Sequence, residues 1–155
     1  MFYHFFQKEP VNRSIGFEDM LYILKQREQY ILINTLPVNQ QQCLIKQTLS
    51  MENEETTLNN LIDRRLYQTK IAVYGTHHCD PTVEKKHKQL LELGFTHVYV
   101  YRGGLFEWLL LQDIYGRSEF PTTSSTLDIL QYRPKKMLDT PLLKLSLIHI
   151  SEPTR

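Results

Sequence analysis

The sequence predicts an α/β fold in which helices cover both faces of a central, mainly parallel sheet. Three observations support this fold class. Lys70–Tyr74 is a short apolar run of the kind that is buried in a parallel sheet. A helical pattern follows from residue 81 to 94, and a second apolar run, His97–Tyr101, comes directly after it. Strands that alternate with helices through short connections form βαβ crossovers, so we expect a three-layer α/β/α domain.

Two helices and two strands are predicted upstream of this unit. Apolar residues at the i, i+3, i+4, i+7 spacing mark the first helix, and they are Phe17, Met20, Leu21 and Leu24. Ser14 is a candidate cap for that helix. Residues 31–35 predict a short strand rich in β-branched side chains, and residues 43–48 a second, weaker strand. The second helix, residues 53–66, is acidic at its start and basic near its end, as the helix macrodipole favours.

The helix that follows the buried strand carries its own start and stop signals. Asp80 is a carboxylate cap, Pro81 occupies the first helical position, and Gly94 supplies the left-handed stop. Four residues are expected on the buried face of this helix: Val83, His87, Leu90 and Leu91. Gly103–Gly104 opens the last long helix, which we expect to end at Gly116.

A chain of 155 residues supports one domain with a single core. We place that domain at residues 14–120, after an N-terminal extension at residues 1–13. Residues 121–144 are expected to form a linker with a short helix at 127–131. The last eleven residues, 145–155, resemble one reading frame of the adapter DNA used in transposase-based sequencing libraries, so we treat them as non-native.

The charge balance excludes several classes of function. With 18 basic and 17 acidic residues, the chain lacks the basic excess of a nucleic-acid or anionic-membrane binder. Its longest apolar stretch, Leu105–Ile114, contains polar residues and is too short to span a bilayer. Cys43 and Cys79 form no C-x-x-C motif, which favours a reducing compartment, and we expect a cytoplasmic protein. The sequence does not fix an oligomeric state.

Several of these segments follow an order that is shared with a known family. The first helix begins Phe17-Glu-Asp-Met-Leu, a buried strand ends at Tyr74, and the next helix ends in Leu93-Gly94-Phe95. The most specific element is Gly103-Gly104-x-x-x-Trp108, one strand later. Together these segments resemble the rhodanese-like family between residues 14 and 120.

The segments beyond this region are similar to one subgroup of such proteins. Phe120-Pro-Thr-Thr123 and Asp128-Ile-Leu130 resemble members found in large DNA viruses of eukaryotes. The chain contains a single alanine, Ala72, although alanine is normally among the commonest residues. AT-rich coding DNA explains this scarcity and fits such an origin.

The resemblance implies a sulfur-transfer loop from which this sequence departs. Active members place a cysteine directly after the buried strand, where loop amides and a helix N-terminus stabilise the thiolate that carries the persulfide. Gly75 stands at that position. Asp80 ends the loop where active members often carry arginine, and Asn34-Thr-Leu36 replaces the Asp-x-Arg of the family. These departures imply a pseudoenzyme, with the sulfurtransferase fold but without the usual activity.

The ligand site of an open α/β sheet lies beyond the carboxyl ends of its strands. The expected loop of this site is Gly75, Thr76, His77, His78, Cys79 and Asp80. The expected rim is Asn34, Arg102, Gly103 and Gly104. Our first hypothesis is a binding or regulatory module that contacts a protein partner or a small anion through this loop, without a cofactor. The alternative is a sulfurtransferase in which Cys79 is a displaced persulfide carrier.

Two further patterns in the loop are weaker. His78-Cys79 followed by Lys85 resembles the H-C-x5-R loop of phosphatases, but a lysine does not replace a bidentate guanidinium. The adjacent residues 77–79 lack a fourth ligand at the spacing of a zinc site, so we expect no metal. Elsewhere, three side chains are expected in the core: His87 as a histidine with satisfied hydrogen bonds, Cys43 as a small buried residue, and Trp108 packed between the last helix and the sheet.

Overall fold

In the computed structural model, which describes residues 13–138, four strands form one sheet with helices on both faces. The elements in chain order are β1 (Ser14–Ile15), α1 (Phe17–Lys25), β2 (Tyr30–Asn34), α2 (Met51–Asp63), β3 (Lys70–Tyr74), α3 (Pro81–Glu92), β4 (His97–Tyr101) and α4 (Gly104–Tyr115). Single turns of 3₁₀ helix lie at Val38–Gln40 and Ile129–Tyr132. The strand order is β1-β4-β3-β2 and every pair is parallel, which confirms the predicted three-layer α/β fold.

The strand β3 lies in the middle of the sheet and ends at the candidate site. It pairs along its full length with β2 on one side and β4 on the other. Residues 71–74 are fully buried, because successive side chains of a strand point to opposite faces and both faces are covered. Ile71 and Val73 belong to one core, whereas Ala72 and Tyr74 belong to the other.

Two pairs of helices close these two cores. The helices α1 and α4 cover the face of Tyr74 with five buried side chains: Met20, Ile23, Leu105, Trp108 and Leu109. The helices α2 and α3 cover the opposite face with Leu58, Val83 and Leu90. Burial of each large side chain contributes roughly 1.5–3 kcal/mol relative to leaving it exposed, so both layers fix the direction in which β3 enters the loop.

The predicted start and stop of α3 agree with the structure. Asp80 is the N-cap and accepts a hydrogen bond from the Thr82 amide, with Pro81 at the first helical position. Gly94 follows the helix with a φ of +109°, a conformation that favours glycine. One expectation for the buried face is wrong: Leu91 is 45% exposed, because it lies about a quarter turn away from the buried Leu90.

The predicted cap of α1 is also wrong. Ser14 belongs to β1, where it pairs with Val100, and the N-cap of α1 is Gly16. The Gly16 amide donates to the Asp19 carboxylate at 3.4 Å, so the helix start uses a side chain from inside the first turn.

Residues 43–48 do not form the predicted strand. They make only isolated bridges, Leu32 with Thr48 and Ile45 with Thr122. Three consecutive side chains in this segment, residues 43–45, are buried, whereas a strand would point the middle one the opposite way. The segment is fixed instead by the buried Tyr74 hydroxyl, which accepts the Ile45 amide at 3.1 Å and lies 2.8 Å from Thr48 Oγ1.

The remaining boundaries shift by a few residues. The second helix, predicted at 53–66, spans Met51–Asp63, and the short helix predicted at 127–131 is the 3₁₀ turn Ile129–Tyr132. Tyr132 packs in the same core as α4. The predicted adapter-derived segment 145–155, and most of the predicted N-terminal extension, lie outside the described residues. Among residues 13–138, no helix is long and apolar enough to cross a membrane.

We expect Tyr74→Phe to lower the free energy of unfolding by about 1–2 kcal/mol, because the buried Ile45 amide loses its acceptor. Urea unfolding followed by fluorescence measures this change. The control is Tyr22→Phe, since Tyr22 is 55% exposed and its loss of a hydroxyl should change stability little. An equal effect of both substitutions would contradict this role for the Tyr74 hydroxyl.

Candidate functional site

The loop after β3 and the start of α4 meet at the carboxyl edge of the sheet. A Cβ on Gly104 would lie 2.8 Å from Gly75 O and 2.9 Å from His77 N, so the two backbones are in direct contact. Gly104 also has a φ of +71°, a second reason why only glycine fits. The second glycine of the Gly103-Gly104 motif therefore allows the loop and the helix to touch.

The first turn of α4 orients the loop through hydrogen bonds. The Leu105 amide donates to Gly75 O at 2.9 Å, and the Phe106 amide donates to Thr76 O at 2.8 Å. These two amides are among those that a helix leaves unpaired at its N-terminus, and here the loop carbonyls satisfy them. The first two loop residues are thus held with their carbonyls toward α4.

Gly103 has a separate packing role beside the Tyr101 side chain. A Cβ on Gly103 would overlap the carboxylate of Glu107, which lies against the glycine backbone. That carboxylate accepts a hydrogen bond of 2.5 Å from the Tyr101 hydroxyl. Burial, and then the hydrogen bond to Glu107, raise the pKa of Tyr101, so the hydroxyl stays a neutral donor. Gly103 therefore supports the turn between β4 and α4.

No side chain fits at position 75 without movement of its neighbours. A Cβ built on Gly75 would overlap Val83 Cγ2 and would lie 2.6 Å from Asp80 Oδ2 and 3.0 Å from Thr35 Oγ1. Gly75 is itself buried, and Val83 is 4% exposed. The space that a side chain at position 75 would need is filled by three neighbouring side chains.

Asp80 closes the other end of the loop with its carboxylate. Its Oδ2 accepts the Thr76 amide at 3.0 Å, and its Oδ1 accepts the Thr82 amide at 3.0 Å. The Thr82 hydroxyl lies 2.7 Å from Asp80 Oδ1 and 2.8 Å from Thr35 Oγ1. Burial alone would raise the pKa of Asp80, but the hydrogen bonds from Thr76 and Thr82 outweigh it and lower the pKa below its usual value.

The middle of the loop faces outward. His78 and Cys79 are exposed, and the Cys79 amide donates to His77 Nδ1 at 3.1 Å. Since Nδ1 is the acceptor, the proton of the neutral ring is on Nε2. Burial is the main reason why the pKa of His77 is lowered, Asp80 raises it, and His78 lowers it. In residues 13–138, no group of three or more His, Cys, Asp or Glu side chains is placed to hold a metal ion.

Known structures share this arrangement of strands and helices. The solution structure of the rhodanese-like domain of the Alr3790 protein from Anabaena sp. has a TM-score of 0.51, with 21% identity over 84% of this chain and 90% of that chain. The BH2092 protein from Bacillus halodurans has a TM-score of 0.52, with 16% identity over 85% of this chain and 96% of that one. The chain has a rhodanese-like fold.

The thiosulfate sulfurtransferase from Pseudomonas aeruginosa has the same fold in part of its length. Its TM-score is 0.51, with 19% identity over 64% of this chain and 19% of that chain. No protein-family model matches this sequence, and no curated protein matches it. At these identities the likeness establishes the fold alone. Any chemical activity has to be inferred from the residues of the loop.

Two residues of the predicted rim have structural partners of their own. Asn34 is 4% exposed, and its Oδ1 accepts the Leu36 amide at 2.9 Å and Gln41 Nε2 at 2.8 Å. The Arg102 guanidinium forms an ion pair with Glu84 on α3 and donates through Nε to Ser14 Oγ at 3.0 Å. In this rhodanese-like fold, both side chains connect elements around the loop.

Three side chains near position 75 were missed by sequence reasoning: Thr35 and Val83, which line it, and Thr82, which contacts Thr35. Val83 was predicted only as a core residue. The Asp80-Pro-Thr82 sequence contains a signal for the Thr82 contact, because a capping carboxylate bonds to the amide two or three residues later. Thr35 has no such local signal, since its contact with α3 joins residues far apart in the chain.

Of the three residues predicted in the core, Trp108 and Cys43 are buried as expected, whereas within the described residues His87 lacks the hydrogen bond expected for it. Trp108 is fully buried and its Nε1 donates to Pro121 O at 3.1 Å. Cys43 is 2% exposed and its thiol lies 3.3 Å from Ser124 O. His87 is not satisfied as predicted, because its buried Nε2 has no hydrogen-bond partner among residues 13–138. Nothing in its surroundings explains this unpaired atom.

We expect Gly75→Ala to lower the free energy of unfolding by about 1–3 kcal/mol or more, because the new methyl group overlaps Val83 and Asp80. Gly16→Ala is the matched control, since a Cβ at position 16 meets no atom within 4 Å. Chemical denaturation measures both.

The same overlap predicts a coupling between positions 75 and 83. Gly75→Ala combined with Val83→Ala should lose less stability than the sum of the two single changes, by at least about 0.5 kcal/mol. Strict additivity would show that Val83 does not close this space.

We expect Asp80→Asn to lower the free energy of unfolding by about 1 kcal/mol at pH 7. The side-chain amide cannot accept hydrogen bonds from both Thr76 and Thr82 as the carboxylate does. The pKa of Asp80 is lowered in the folded state, so its stabilising effect is present above the unfolded pKa and disappears as the pH falls through the folded pKa. The difference from wild type should therefore shrink below about pH 4. Urea unfolding at several pH values tests this, with the exposed Asp113→Asn as control.

Proposed function

We propose that this protein is a rhodanese-like binding or regulatory module that does not perform thiosulfate-type sulfur transfer. The observation that carries this proposal is the closed space at Gly75, where a catalytic cysteine would have to begin. Sulfur transfer by this fold needs a thiolate that receives the sulfur and holds it as a persulfide. Position 75 supplies neither the thiol nor the room for it.

The hydrogen bonds of the loop support the same proposal. An empty cradle of amides would stabilise a thiolate or a persulfide, but the Thr76 amide is already bound to the Asp80 carboxylate. That carboxylate adds a negative charge where an anionic sulfur species would need positive potential. The loop is thus an unfavourable place for a small anion, which favours the protein partner of the two ligand classes.

The exposed part of the loop supports a protein partner directly. His78 and Cys79 are exposed, and Val38, which follows the end of β2, is 77% exposed. Exposed imidazole, thiol and apolar side chains on the loops at this edge of the sheet are suited to a protein contact. Both cysteines are free thiols, which agrees with the proposed cytoplasmic location.

The exposed thiol of Cys79 supports one alternative, a displaced persulfide carrier. In that reaction the Cys79 thiolate attacks the outer sulfur of thiosulfate, the sulfur–sulfur bond breaks, and sulfite leaves with the electron pair. Cys79 is accessible for this attack. However, within residues 13–138 no loop amide donates to its sulfur, so nothing equivalent to an amide cradle lowers the energy of the thiolate.

We expect the protein incubated with thiosulfate to carry no more cyanide-labile sulfur than its Cys79→Ser variant. Colorimetric thiocyanate release measures the bound sulfur, and mass spectrometry of the intact chain counts added sulfur atoms. Cys43→Ser is the matched control, because it removes a buried thiol and leaves the loop unchanged. Stoichiometric labelling that disappears in Cys79→Ser and persists in Cys43→Ser would replace this proposal with the persulfide carrier.

A further inference from the structure

We propose that Asp80 determines what this loop binds, because its carboxylate is an internal ligand that fills the loop and excludes oxyanions. The inference rests on the proposed function in one respect: it takes residues 75–80 as the binding surface. It adds the chemistry of the partner, which must present neutral or cationic groups to this loop, and it names the residue responsible.

The carboxylate joins two amides that approach it from different elements. The Thr76 amide belongs to the loop and the Thr82 amide to the first turn of α3, and each donates to a different oxygen at 3.0 Å. Backbone amides at a helix N-terminus favour a negative charge, and two amides that converge on one group are the usual donors for an oxyanion. The Asp80 carboxylate thus accepts the hydrogen bonds that these amides could otherwise donate to an external oxyanion.

The position of the carboxylate also blocks the entrance to these amides. Its Oδ2 lies 2.6 Å from the point at which a side chain on Gly75 would begin. Val83 and Thr35 fill the rest of that space. A sulfate, phosphate or thiosulfate ion would contact the Asp80 carboxylate before it reached either amide, and like charges in contact repel strongly.

The cations near the loop offset little of this charge, since two are paired within the protein and a third, Lys85 on α3, is exposed to solvent, where its charge is screened. Arg102 is paired with Glu84 on α3, and Lys86 is paired with Glu54 on α2 at 2.5 Å. Both ion pairs satisfy the basic side chain within the protein. The ring of His77 accepts a hydrogen bond at Nδ1 from the Cys79 amide, and burial is the main cause of its lowered pKa, so the ring stays neutral near pH 7. Among residues 13–138, no unpaired guanidinium lies at this loop to replace the lost amides.

The test compares anion binding by the wild-type protein and by Asp80→Ser. Serine remains a good N-cap for Thr82, but its hydroxyl is one bond shorter and lacks the charge, so the Thr76 amide becomes free. Sodium sulfate and sodium thiosulfate are titrated at constant ionic strength against sodium chloride. Amide resonances of Thr76 and Thr82 are followed by NMR, and Asp113→Ser is the control for removal of one exposed carboxylate.

We expect no saturable shift of the Thr76 resonance in the wild-type protein or in Asp113→Ser. In Asp80→Ser we expect saturation and an affinity at least about tenfold higher, because a like charge in contact with the ligand has been removed. Asp80→Asn, which keeps the size of the side chain, should also gain affinity. Wild-type binding as tight as that of Asp80→Ser, or no gain in either variant, would overturn the inference.

The two proposals fail in distinguishable ways. Cyanide-labile sulfur on Cys79 would overturn the proposed function, whatever the anion titration shows. Saturable anion binding to the Thr76 amide of the wild-type protein, without any labile sulfur, would overturn the role of Asp80 and leave the non-catalytic module in place.

Discussion

The contact between the backbone at Gly75–His77 and the first turn of α4 is the constraint on which the candidate site depends. Gly104 allows these two backbone segments to come into contact. The amides of Leu105 and Phe106 then donate hydrogen bonds to the carbonyls of Gly75 and Thr76. A peptide group that points its carbonyl toward α4 points its amide away from it. The Thr76 amide, which follows the Gly75 carbonyl, is therefore directed toward Asp80 at the start of α3.

Asp80 completes this arrangement from the opposite side. The loop is held at its start by two hydrogen bonds to α4 and at its end by a carboxylate that returns to the Thr76 amide. The cores on the two faces of β3 fix the point from which the loop departs. A loop held at both ends keeps its outer residues, His78 and Cys79, at one place on the surface. Such a surface suits the proposed protein contact, because little further ordering of the loop is needed on binding.

Local signals in the sequence were sufficient to predict most of the helices and strands of this fold. The buried run Lys70–Tyr74 and the Asp80-Pro81 start of α3 were found as predicted, because each depends on neighbouring residues only. The segment 43–48 was predicted wrongly as a strand, since its burial comes from contacts with Tyr74 and Thr122, far away in the chain. The family resemblance predicted that Gly75 stands where active members place a cysteine. It could not show that Asp80 and Thr35 fill the space, because that result depends on how the loop curls and on where α3 packs.

The closed space at position 75 depends on several side chains as well as on the glycine itself. Three side chains, Thr35, Asp80 and Val83, share the volume that a side chain at position 75 would occupy. A cysteine placed at Gly75 alone would meet a buried methyl group and a carboxylate whose charge raises a thiol pKa. The thiol would then be both strained and poorly ionised, so a single substitution to cysteine would not place a reactive nucleophile there. Thr35, Asp80 and Val83 thus form the packed interior of a closed loop, and the Asp80 carboxylate in addition opposes the ionisation of a thiol at position 75.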